Sequence, residues 1–126
     1  MPDKKILIID DDTQITDTLQ KLFTETGAKV TIANSYDQGL AAIKDGHPDV
    51  AVVDVMLGTQ SGLDLVKAAQ ALPEPHPIFA VLTNSINAEH IAEAMESNVT
   101  TFIQKADHDP HEIVEIVKKR ISELKK

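Results

Sequence analysis

Five apolar runs recur along the chain, each followed by a stretch in which apolar residues return every three or four positions. The most telling run is Val50-Ala51-Val52-Val53. Four consecutive apolar residues, three of them β-branched, suit a strand covered on both faces, which is the habit of parallel sheets. Ile6-Leu7-Ile8-Ile9 and Ile78-Phe79-Ala80-Val81-Leu82 repeat the pattern, with shorter strands predicted at Val30-Thr31-Ile32-Ala33 and Thr101-Phe102-Ile103-Gln104. Between them, Ile15, Leu19, Leu22 and Phe23 fall on one face of a helix that Gly27 ends. A second helix carries Tyr36, Leu40 and Ile43, with Asn34 or Ser35 as its cap and Gly46 at its close. Leu65, Val66, Ala69 and Leu72 predict a third. Asn87, Ile91, Ala94 and Met95 predict a fourth, stopped by Asn98.

The last helix has the clearest start. In Asp109-Pro110-His111-Glu112 an N-cap Asp precedes Pro at the first helical position, with Glu at the capping-box position. Its apolar face is Ile113, Ile116, Val117, Ile121 and Leu124. His47-Pro48-Asp49 reads as a turn, and Pro73-Glu74-Pro75-His76-Pro77 as a stiff connector too short to separate domains. Strict alternation of strand and helix implies a single α/β domain over residues 1–126, with a parallel sheet covered by helices on both faces.

Composition narrows the function classes. Twelve Lys and Arg against twenty Asp and Glu leave a net charge of −8, which argues against direct nucleic-acid binding by this chain. Lys118, Lys119, Arg120, Lys125 and Lys126 gather at the end, where cations complement a helix C-terminus. With no Cys, disulfides and thiolate metal sites are excluded. No run approaches a membrane span and no signal-peptide stretch follows Met1, so a cytoplasmic location is expected. The five His are scattered and read as surface residues, and neither a dinucleotide nor a Walker-type glycine loop follows the first strand.

Candidate chemistry collects at the strand ends, which share one edge in a parallel sheet. There stand Asp10, Asp11 and Asp12 after the first strand, Asp54 at the third, Thr83 at the fourth and Lys105 at the fifth. Each has an ordinary explanation alone: Asp12 as a helix cap, Asp54 as a turn residue, Thr83 as one more strand residue, Lys105 as a snorkelling surface lysine. Together they describe a site. Crowded carboxylates call for a cation, and oxygen ligands without His or Cys favour a hard one, Mg²⁺ or Mn²⁺. Such an ion leaves positions for phosphate oxygens, and a carboxylate such as Asp54 can attack phosphorus. Lys105 and the Thr83 hydroxyl would then hold phosphoryl oxygens.

The ordered set Ile-Leu-Ile-Ile-Asp-Asp-Asp, Pro48-Asp49-Val50 leading to Asp54, Gly62, Leu82-Thr83 and Phe102-Ile103-Gln104-Lys105 resembles the receiver domain of bacterial two-component response regulators, from Ile6 to Leu124. The resemblance implies a flavodoxin-like, doubly wound (βα)5 fold with strand order 2-1-3-4-5. It implies that Asp54 accepts a phosphoryl group from a sensor histidine kinase or histidine phosphotransfer protein. Asp10 and Asp11 match the acidic pair, with Asp11 the more direct Mg²⁺ ligand, and the Met56 backbone carbonyl matches a further ligand. Thr83 matches the switch hydroxyl, Lys105 the phosphate-pairing lysine, and Phe102 the aromatic position that follows the switch. The face of the fourth helix, fifth strand and fifth helix would be remodelled for a downstream protein or output domain, in a monomer or a phosphorylation-dependent dimer. Such a protein is a signalling switch that catalyses only its own phosphorylation and dephosphorylation, not a turnover enzyme.

Five positions depart from the family pattern. Ala106 follows the lysine where a cis-bonded Pro is usual, which predicts a trans peptide there. Gly58 stands where Pro is common, Asn84 where Ala is usual, and Asn98-Val99 replaces a common Gly-Ala. Met56 and Ser85 offer little to orient an attacking water, which predicts a long-lived aspartyl phosphate. Two other readings compete. One is a metal-dependent phosphatase with an aspartyl nucleophile in D-x-D-x-T; Asp10 and Asp12 have the spacing, but Gln14 stands in the Thr position. The other is a pseudo-receiver that binds partners without phosphorylation. The chain suits either a single-domain receiver or a piece of a longer regulator.

Overall fold

Lys5–Ile9 (β1) and Val50–Asp54 (β3) form the centre of the sheet, and the register Ile6↔Val50 to Ile9↔Val53 joins them in parallel. Lys29–Ala33 (β2) pairs with the other side of β1. Ile78–Thr83 (β6) pairs with β3, and Thr101–Gln104 (β7) pairs with β6. The order is β2-β1-β3-β6-β7, all parallel. This is the predicted 2-1-3-4-5 order, renumbered because a small antiparallel hairpin, Met56–Leu57 (β4) with Gln60–Ser61 (β5), intervenes. The computed structural model describes residues 3–83, 92, 99, 101–105 and 108–124. The predicted fourth helix, with Asn87, Ile91, Ala94, Met95 and Asn98, lies outside the described residues, as do Asn84, Ser85 and Ala106.

Alternation along the strands explains the continuous apolar runs. Leu7, Ile9, Ala51 and Val53 face a core closed by helices Tyr36–Gly46 (α2) and Gly62–Gln70 (α3) through Ile43, Leu65, Val66 and Ala69. Ile6, Ile8, Val50 and Val52 face the opposite core. There Thr13–Glu25 (α1) and the C-terminal helix Pro110–Leu124 (α4) supply Leu19, Phe23, Ile113 and Val117. Every residue of β3 is buried, as its unbroken apolar run requires, whereas the edge strand β2 buries only Ala33.

The helix ends follow side-chain chemistry. Asp12 caps α1, accepting from the Gln14 and Ile15 amides at 3.0 and 3.5 Å. Ser35, rather than Asn34, caps α2, accepting from Gln38 N at 3.2 Å. At the C-terminal helix, Asp109 Oδ1 accepts from the Glu112 amide at 2.9 Å while Glu112 Oε1 accepts from the Asp109 amide at 3.3 Å, a reciprocal capping box. Helix α2 closes at Gly46, as expected, and His47 after it takes the left-handed conformation with φ 46°. One boundary differs from expectation. Leu72 lies beyond the end of α3 but still packs against the core from the following turn.

Candidate functional site

Parallel pairing brings four chain segments to one edge. Asp10 follows β1 directly, Asp54 closes β3, Thr83 closes β6, and Lys105 follows β7. The register Asp54↔Leu82 and Thr83↔Gln104 sets these ends level, so side chains distant in sequence converge because the strands stop together. Asp10 is fully buried, Asp54 is 4% exposed and Thr83 is 3% exposed. Asp11 is exposed on the loop into α1.

One oxygen from each of Asp10, Asp11 and Asp54 lies within 4.8 Å of the others. Lys105 is their local counter-charge: its Nζ lies 2.8 Å from Asp10 Oδ2 and 3.3 Å from Asp54 Oδ2. Further hydrogen bonds fix each carboxylate. The Asp12 amide donates to Asp10 Oδ1 at 2.9 Å, the Met56 amide to Asp54 Oδ1 at 3.4 Å, and the Gly58 amide to Asp11 Oδ2 at 3.0 Å. Asn34 Nδ2 donates to the Asp10 backbone carbonyl at 3.2 Å, tying the loop after β2 to the same corner. The crevice above these groups, about 420 Å³, is lined by Asp11, Asp12, Ile15, Asp54, Met56, Gly58 and Lys105. Met56 stands at its rim with its side chain in solvent.

Burial pushes the Asp54 carboxyl up, and the negative charge of Asp10 adds to that; Lys105 pulls the other way, leaving Asp54 at about 6 against an ordinary 3.8. Burial alone would pull Lys105 down. Its hydrogen bond to Asp10 and the charges of Asp10 and Asp54 outweigh this and hold it above the ordinary lysine value. The acidic side chains Asp10, Asp11 and Asp54 thus meet around the ammonium of Lys105, more acidic groups than basic ones. A hard divalent cation with oxygen ligands matches both that charge and that donor set.

Gly62, eight residues beyond Asp54, has a steric cause. A Cβ there would lie 1.9 Å from the Asp54 backbone carbonyl oxygen, while the Gly62 amide donates to Val55 O at 2.7 Å. The start of α3 thus rests directly on the peptide that carries Asp54, an approach that only glycine permits. Phe102, half-buried on β7 opposite Val81, packs against the core on the α2–α3 side. The sequence places Asp10, Asp11, Asp12, Asp54, Thr83 and Lys105 on one edge but gives no sign of the hairpin beside the crevice or of the Gly58 amide that lines it. The only available signal was Gly58 itself, which stands where the resemblance leads one to expect proline.

A family model described as the response regulator receiver domain matches residues 6–118. The chain is 35% identical over 109 residues to the acid tolerance regulatory protein ActR of Sinorhizobium medicae, covering 86% of this chain and 56% of ActR. It is 26% identical over 118 residues to the DNA-binding response regulator MtrA of Mycobacterium tuberculosis, covering 94% of this chain and 50% of MtrA. The chain thus spans about half the length of the curated relatives it matches. Among solved structures it is similar to a CheY-like response regulator receiver domain protein from Methanospirillum hungatei, with TM-score 0.87, 28% identity and coverage of 95% and 94% of the two chains. It is also similar to a response regulator from Burkholderia pseudomallei described with a phosphorylated aspartic acid, calcium ion and citrate, with TM-score 0.82, 25% identity and coverage of 98% and 71%.

Proposed function

The chain belongs to the response regulator receiver family, and on that footing we propose that it is a phosphoacceptor switch in which Asp54 receives a phosphoryl group from a histidine donor. The observation that carries the proposal is Asp54 itself: buried at the end of β3, beside Asp10 and Asp11, and 3.3 Å from a lysine that another carboxylate holds more closely. An Asp54 oxygen attacks phosphorus, an O–P bond forms, the P–N bond breaks, and its electron pair returns to the donor imidazole. The donor is a sensor histidine kinase or a histidine phosphotransfer protein.

Asp10, Asp11 and Asp54, together with the Met56 backbone carbonyl, would hold a Mg²⁺ or Mn²⁺ ion, as the charge excess and the all-oxygen donor set support. When bound, that ion neutralises charge on the phosphoryl oxygens. Lys105 exchanges its Asp54 contact for a phosphoryl oxygen while its ammonium keeps the shorter bond to Asp10, and the Thr83 hydroxyl donates to another. Thr83 moves toward the new group and Phe102 follows, which changes the face presented by β7 and the C-terminal helix to a downstream protein or output domain. The exposed Met56 side chain carries no group that would orient a hydrolytic water, so the acyl phosphate outlasts one flanked by an acid or amide.

The receiver family is a signalling family, and the net charge of −8 suits a protein partner better than a nucleic acid. Among the described residues no helix is long and apolar enough to cross a membrane. NMR with Mg²⁺ and beryllofluoride, a phosphoryl mimic, tests the switch. Resonances of Asp54, Thr83, Phe102 and Lys105 should move together to a second state; shifts confined to Asp54 would leave the switch without support.

A further inference from the structure

We propose that the backbone amide of Gly58 is a positioning group for the acidic crevice: it fixes the Asp11 carboxylate through Oδ2 so that the other oxygen is presented to the divalent cation. The proposal rests on the cation-dependent reading of the crevice given above. Asp10 and Asp54 need no such help, since both are buried and both are held by Lys105. Asp11 is the exposed member of the trio. An exposed aspartate on a loop samples several rotamers, and an arriving cation would have to immobilise it.

The hairpin supplies the donor. Leu57 and Gln60 pair across β4 and β5, which leaves Gly58 and Thr59 as the two central residues of the turn. In a turn of this length the flanking residues make the closing hydrogen bonds, and the first central N–H is left over. Here it donates to Asp11 Oδ2 at 3.0 Å, across 47 positions of chain. A carboxylate can accept several contacts on its two oxygens, so a bond at Oδ2 leaves Oδ1 able to take another. Outer hydrogen bonds of this kind orient metal-binding side chains.

Two properties of residue 58 matter for this role, and neither concerns a side chain. The residue must carry an N–H, which proline lacks. It must also hold φ at 62°, a conformation open to glycine and tolerated by asparagine. A Cβ at Gly58 would meet nothing within 4 Å, so side-chain space does not restrict the position.

The test is a Mg²⁺ titration of the unphosphorylated protein by calorimetry, beside hydrogen exchange of the Gly58 amide measured by NMR. Gly58→Asn should bind Mg²⁺ as the unsubstituted protein does, and Gly58→Pro about tenfold more weakly. The Gly58 amide should exchange slowly in the unsubstituted protein and quickly in Asp11→Ala. Equal Mg²⁺ affinity in Gly58→Pro and Gly58→Asn would overturn the proposal. So would a Gly58 exchange rate indifferent to Asp11→Ala, a comparison that stands even if the proline variant fails to fold. If the unsubstituted protein does not bind Mg²⁺ at all, the cation reading of the crevice itself fails, a result distinct from the other two.

Discussion

Asp54→Asn should stabilise the metal-free protein at neutral pH, although it removes the residue on which the proposed function depends. The Asp54 carboxyl is carried from 3.8 to about 6 on folding, chiefly by burial and then by the charge of Asp10. The folded chain therefore binds the Asp54 proton more tightly than the unfolded chain, so stability falls as pH rises through the window between those values. Above it the full penalty is present, about 3 kcal/mol as a ceiling. Solvent enters the crevice beside Asp54, and screening brings the expected gain from Asp54→Asn to about 1–2 kcal/mol. Asparagine keeps the shape of the side chain and its acceptor for the Met56 amide, while Lys105 keeps its closer partner, Asp10. Urea unfolding of both proteins in a metal chelator would measure the difference at about pH 7 and again at about pH 4, where the folded chain holds Asp54 protonated and only the unfolded chain keeps part of the charge. The stability difference should be present at the higher pH and shrink to a small part of that at the lower. A variant that is no more stable at pH 7, or whose advantage persists undiminished at pH 4, would refute the argument that an ionised Asp54 is held there at a cost.

Mg²⁺ at ten times its dissociation constant should raise unfolding stability by about 1.4 kcal/mol, and Asp11→Ala should abolish most of that increment in the same urea titration. Lys105→Met leaves Asp10 and Asp54 without their ammonium partner; the Asp54 titration followed by NMR should move above 6, and stability near neutral pH should fall by about 1–3 kcal/mol. An unchanged Asp54 titration would show that Lys105 does not set its charge. Gly62→Ala drives a methyl group into the Asp54 carbonyl, and a loss of at least about 2 kcal/mol in thermal or urea unfolding is expected. Near-neutral stability of that variant would mean that the strand–helix junction yields more readily than its geometry implies.

The central strands were legible because Val50–Asp54 and Lys5–Ile9 are covered on two faces, which leaves no polar alternation to confuse the reading. Parallel order then placed Asp10, Asp54, Thr83 and Lys105 on one edge without any knowledge of contacts. Other features left no mark in residue type. The hairpin Met56–Ser61 has strands of two residues, too short for a period of two to register. The Gly58–Asp11 bond is donated by a backbone amide, which every residue but proline possesses. Nor could the pattern tell that Lys105 lies nearer to Asp10 than to Asp54, since that depends on rotamers across three strands. His47 illustrates a different limit: Gly46 closes α2 as expected, yet the left-handed conformation falls on the non-glycine residue after it.

Intact-protein mass spectrometry after incubation with acetyl phosphate and Mg²⁺ reaches the central claim most directly. The unsubstituted chain should gain the mass of one phosphoryl group, the gain should be lost in chelator, and Asp54→Asn should show none. A chain that gains no phosphoryl mass, or that gains it equally with asparagine at position 54, would contradict the assignment of Asp54 as the acceptor.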